Sequence, residues 1–141
     1  MIGAVAVGVA LIPVRSLNCP AWDVWVTDQS GQPMPGVTVR LTCQNHSAEA
    51  DSQEIDAITD AQGHVAFSAQ TLNASLGRRV VATLWSARAG VHASFGPHAT
   101  VFAFSDGLQG VDIDKARNIV VDWTGKPEHM ESRIVLVPRE K

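Results

Sequence analysis

Five histidines give this 141-residue chain its widest chemical range. Imidazole can ligate a metal, carry a proton or act as a general base near neutral pH. His92 and His98 flank a loop ending in Gly96-Pro97, and Asp106, Asp112 and Asp114 follow on the next long loop. A set such as His92, His98 and Asp106 is what a divalent cation would take at one end of a domain. The spacing matches no compact ligand motif, so solvated loop residues are the better reading, and the sequence calls for no metal and no cofactor. His64 and His129 read as solvent-facing turn residues. Asp112-x-Asp114 lacks the glycine and closing glutamate of an EF-hand. No Gly-x-Ser-x-Gly elbow activates Ser94 or Ser105, and there is no tyrosine at all, which removes every chemistry that needs a phenol. No catalytic residue is assigned.

Recognition is the other chemistry available. Tryptophan offers a large contact area at low entropy cost and stacks on sugars or partner side chains. By strand parity Trp25 points opposite Trp22, Val24 and Val26, and Trp85 opposite Val80, Ala82 and Leu84. Both could instead fill the ends of a core. Phe95, between His92 and His98, has no packing duty in a glycine-containing loop. Trp25, Trp85, His92, Phe95 and His98 are therefore the candidate binding residues, with the loop Arg88 to Pro97 as the leading segment.

The elements that must position them are announced by two turns, Asp28-x-x-Gly31-x-Pro33-x-Pro35-Gly36 and Thr59-Asp60-x-x-Gly63. Alternating apolar residues flank each one, which predicts two hairpins. Short strands are expected over Ala21 to Asp28, Val37 to Cys43, Glu54 to Thr59 and His64 to Ser68, then Ala99 to Phe104, Asn118 to Trp123 and Ile134 to Val137. Arg79 to Ala87, the most continuous apolar run, reads as a central strand, and Gln70 to Leu76 as a single helical turn. The sum is an all-β fold: one antiparallel sandwich of seven to eight strands occupying residues 19–141.

Residues 1–18 stand apart. Met1 to Val14 carries no charge, and Arg15 closes the run, which predicts a signal peptide or N-terminal anchor and an extracytoplasmic location. It is too short for a comfortable membrane span, so membrane contact is expected only through this segment if it is retained. Cys19 and Cys43 come within reach of each other if the first two strands pair. A disulfide there suits an oxidising compartment, and two free thiols suit a reducing one. The net charge of −3 and the scattered basic residues exclude a nucleic-acid partner.

The run from Asp28 through Pro35-Gly36-Val37, followed by Thr59-Asp60, Gly63, Val65 and Phe67, resembles the carboxypeptidase regulatory-like domains, which are prealbumin-like (transthyretin-like) sandwiches. It is similar also to the bacterial immunoglobulin-like repeats of surface adhesins. The resemblance covers residues 21–70 and fades past Arg79. It implies a non-catalytic module that binds a protein or glycan partner or serves in assembly. The alternative is a small metal-dependent or hydrolytic enzyme with a loop site at His92 and His98. Two enzyme families of related architecture are set aside on residues: the hydroxyisourate hydrolases end in Tyr-Arg-Gly-Ser, which is missing, and the intradiol dioxygenases bind iron through two tyrosines.

Overall fold

The computed structural model describes residues 13–48, 51–88 and 95–139. Along these residues run β1 (Pro13–Cys19), β2 (Ala21–Thr27), β3 (Thr38–Asn45), β4 (Gln53–Ile58), β5 (His64–Phe67) and β6 (Gln70–Ser75). Then come α1 (Leu76–Ala87), β7 (Pro97–Ser105), β8 (Leu108–Val111), β9 (Ile113–Asp114), β10 (Ile119–Val120), β11 (His129–Val135) and β12 (Val137–Pro138). The fold is an all-β sandwich. One sheet has the order β11-β2-β5 and the other β12-β8-β7-β3-β4, with two-stranded ribbons β1-β6 and β9-β10 beside them. The order mixes strands distant in sequence, and β11 runs parallel to β2, against the expectation of an antiparallel set throughout.

Strict alternation explains the layers. Trp22, Val24 and Val26 of β2 face Val39, Leu41 and Cys43 of β3 and Val101 and Ala103 of β7, all essentially inaccessible to water. Ile134 and Leu136 complete the core from the other end of the chain. Period-two burial of this kind follows from the pleat, which sends successive side chains to opposite faces.

The two turns are not hairpins. β2 and β3 lie in different sheets, and so do β4 and β5, so each turn carries the chain across the sandwich. The two corners also bond to each other: Val26 N–H donates to the Gly63 carbonyl (2.8 Å), Gly36 N–H to the Thr59 carbonyl (3.0 Å), and Thr59 N–H to the Val37 carbonyl (3.0 Å). The glycine and aspartate signals specify the bend but not which strands flank it. An arch and a hairpin share that chemistry.

Four further expectations are corrected. Gln70–Ser75 is strand β6, not a helical turn, because it finds an antiparallel partner in β1. Leu76–Ala87 is helix α1, not a central strand. Ser75 caps it, its Oγ accepting from Arg78 N–H (3.3 Å), and the apolar residues recur at spacing four, Leu76-Val80-Leu84 and Val81-Trp85. The expected strand over Asn118 to Trp123 shrinks to β10 and an isolated bridge from Trp123 to Ala99. β1 takes up residues 13–19, most of which the sequence reading gives to the leader, while residues 1–12 lie outside the described residues.

Candidate functional site

β8 lies so close to β11 that a Cβ on Gly110 would sit 2.6 Å from both Ile134 Cγ2 and the Val135 carbonyl oxygen. Glycine alone permits that approach. Beside it, the outward side chains of β7 and β8 and the chain leading into β12 enclose a cleft of about 970 Å³. This is at the upper end of the range for sites that hold drug-sized molecules. Phe102 and Phe104, with ring centroids 6.1 Å apart, contribute aromatic wall, and Val111, Ile113, Val135 and Val137 extend the apolar lining.

The charge in the cleft is one-sided. Lys115, Arg133 and Arg139 line it, against the single carboxylate of Asp112. Asp112 is committed inward: Ser132 Oγ–H donates to its Oδ2 (2.6 Å), and that hydroxyl accepts from the buried Trp22 Nε1–H (2.8 Å). Among the described residues none of the three cations is ion-paired. Arg40, by contrast, is neutralised by Glu54 (2.7 Å) and Asp56 (2.6 Å) where it crosses Phe104. Arg133 also lies over the ring of Trp25, 5.3 Å from its centroid, which fixes the guanidinium at the cleft edge.

Trp25 belongs to a row across the outer face of the smaller sheet, paired with Arg133 on one side and His64 on the other. His64 stacks on it at 4.9 Å. One step along, Asp23 receives two imidazoles, His64 Nε2 at 2.7 Å and His129 Nε2 at 2.9 Å. One carboxylate thus ties all three strands. The sequence reading takes His64 and His129 as solvent-facing turn residues; the antiparallel β2-β5 register brings His64 to Asp23 and the parallel β11-β2 register brings His129, and no local pattern announces either pairing.

At one end of the larger sheet, His98 Nδ1 meets Asp122 (2.7 Å), and its Nε2 lies 3.3 Å from the Phe95 carbonyl. His46 packs edge-on against His98 at 5.2 Å. Burial, and then the neighbouring His98, hold the His46 imidazole below its ordinary pKa, with Asp122 pulling the other way.

The other sequence candidates scatter. Trp85 is 72% exposed on α1, and Phe95, on the chain leading into β7, is about half exposed. His92 lies outside the described residues. Asp106 follows the far end of β7 from His98, about 26 Å away at strand rise, so the two cannot share an ion. No group of three His, Cys, Asp or Glu is placed to hold a metal among the described residues. Cys19 and Cys43 form a disulfide with Cα atoms 5.8 Å apart. The cleft itself is missed by the sequence reading. Its walls are joined only by tertiary pairing, and the visible signal was three cations, Lys115, Arg133 and Arg139, near outward-facing valines.

No family model matches the sequence, and no curated protein matches it. Among solved structures the chain is similar to the catechol 1,2-dioxygenase of Acinetobacter radioresistens, at 14% identity over 89% of this chain and 53% of that one, with a TM-score of 0.45. It is similar also to the 3-chlorocatechol 1,2-dioxygenase of Rhodococcus opacus 1CP, at 15% identity over 89% of this chain and 62% of that one, with a TM-score of 0.48. The chain thus spans roughly half to three fifths of the length of these structures. At such identity the likeness is one of fold and carries no activity across. The expectation of a non-catalytic binding or assembly module finds no support among these neighbours and is withdrawn. That expectation rested on this architecture marking accessory domains, whereas the solved chains of similar architecture are named as dioxygenases.

Proposed function

We propose that this chain takes a small amphipathic anion, an apolar body bearing a carboxylate, into the cleft over Phe102 and Phe104. The observation that carries the reading is the lining: an aromatic and aliphatic wall with Lys115, Arg133 and Arg139 around it, on a chain whose net charge is −3. A cationic rim on an acidic protein is a local reversal of field, and a dry wall beside it strengthens each charge-assisted hydrogen bond to a carboxylate. The apolar wall supplies affinity and the guanidinium groups supply orientation. The Cys19–Cys43 bond supports placing this activity outside the cytoplasm, where disulfides persist.

Calorimetric titration with 2-naphthoate and with its neutral amide tests the reading. The carboxylate binds and the amide does not, and replacing Arg133 and Arg139 together by glutamine weakens the carboxylate at least tenfold. Equal affinity for acid and amide, or no loss in the double variant, would remove the proposal.

A further inference from the structure

Helix α1 turns its apolar side to water. Val80, Val81, Leu84 and Trp85 are 58%, 66%, 65% and 72% exposed. At about 100° per residue they form, with Leu76, one continuous face. The polar side of the helix holds it to the body: Arg79 Nη2 donates to the Val14 carbonyl (3.1 Å) and lies 2.8 Å from Ser16 Oγ. A surface helix of a globular protein is normally mounted the other way, with the apolar stripe inward.

The charge on the helix and just beyond it has one sign. Arg78 and Arg88 are exposed on the helix and just beyond it, and Arg88 rests over the Trp85 ring at 5.2 Å. No acidic residue occurs anywhere between Asp60 and Asp106, in a chain that otherwise has 14. We propose that α1 is a docking surface for an anionic lipid bilayer, lying in the headgroup layer with Val80, Val81, Leu84 and Trp85 turned into it. Tryptophan beside arginine suits that boundary, where the ring meets acyl chains and the guanidinium meets phosphate. The helix cannot cross: 12 residues extend about 18 Å, against a hydrocarbon core of about 30 Å. A second copy of the chain fits the face less well, because a two-fold contact through it would bring Arg78 and Arg88 of both copies to one small apolar patch.

The test mixes the full chain with vesicles of phosphatidylcholine alone, or with about 30 mol% phosphatidylglycerol, and reads co-sedimentation and tryptophan emission. Binding is expected to be at least tenfold stronger to the anionic vesicles, with a blue shift that the Trp85→Phe variant lacks. The variant Val81→Gln/Leu84→Gln, its fold checked by circular dichroism, should bind at least tenfold more weakly. Each of Arg78→Gln and Arg88→Gln should weaken binding about fivefold. Residues 1–12 are the same in all variants, so the differences isolate the helix. Three results would overturn the proposal: no binding, equal binding to neutral vesicles, or undiminished binding of Val81→Gln/Leu84→Gln. So would a dimer, seen by light scattering, that the same double variant dissolves without any effect on vesicles.

Discussion

The paired corners at residues 28–37 and 59–64 and the helix α1 treat their side chains in opposite ways. In the corners the side chains of Asp28, Ser30, Thr59 and Asp60 are all spoken for. Asp28 Oδ1 accepts from Ser30 N–H (2.8 Å) and Gln32 N–H (2.9 Å), and Asp60 Oδ1 accepts from Gln62 N–H and His64 N–H (2.9 Å each). Thr59, buried, links the two corners through its hydroxyl. In α1 the polar contacts lie at the base and the apolar residues face out. Hydrophobic content alone would therefore place α1 in the core, where it is not, and the closure of backbone hydrogen bonds between sheets is the better guide there.

The largest test of that contrast is Gly63→Ala. Gly63 holds φ of +72°, and an added Cβ would lie 2.6 Å from the Val26 carbonyl oxygen and 3.0 Å from Met34 N, both backbone atoms that cannot swing aside. A loss of about 3–4 kcal/mol is expected, combining conformational strain with overpacking. Gly31→Ala is the control: its φ is +84°, with nothing within 4 Å, so only the strain remains, about 1 kcal/mol. Denaturant midpoints of the two variants would show the difference. Equal losses would mean that the corners are not packed on each other.

Thr59→Val comes next. The hydroxyl donates to the Met34 carbonyl at 2.7 Å and accepts from Val37 N–H at 3.0 Å, and the isosteric methyl leaves both without a partner at a site 4% exposed. About 2 kcal/mol should be lost in the same unfolding measurement. A change under about 0.5 kcal/mol would put the strength of the corner elsewhere, in packing alone.

These two positions also show where the sequence was readable. Thr59, Gly63 and the aspartates are local signals, and the strands around them were legible to within a residue or two. The partners were not, since a turn fixes its own backbone and leaves pairing to the whole sandwich. The sequence reading brings Cys19 toward Cys43 through a β2-β3 ladder; the structure has no such ladder, and the bond joins β1 to β3. Residues 70–87 inverted for a related reason. Val80 and Val81 favour strands in isolation, yet Ser75 offers a cap, and the places in both sheets are filled by strands from elsewhere in the chain. The cleft was illegible because Phe102, Lys115 and Arg133 meet only through β7-β8 pairing and the return of β11. Of the aromatic candidates, Trp25 and Trp85 do face outward, on two unrelated surfaces.

The smallest expected effect is on pH dependence, and it separates the corners from the helix by charge. Asp28 is held below its ordinary value of 3.8, first by the Ser30 hydroxyl and then by the Gln32 amide. A carboxylate with a depressed folded-state pKa adds stability that is fully present above the unfolded value and is lost as pH falls through the folded one. Stability should therefore decline as pH drops below about 4, and Asp28→Ala should flatten part of that decline. Asp56, lowered by its bond to Arg40, keeps the remainder, so the slope should not vanish. Both carboxylates are exposed and screened by solvent, which makes the change small beside that of Gly63→Ala. α1 contains no acidic residue, so Val81→Gln/Leu84→Gln should leave the acid limb of the curve parallel to that of the parent. Urea midpoints from pH 5 to pH 2 for the three proteins would decide it, and a slope altered by the helix variant would show that α1 and the corners unfold as one electrostatic unit.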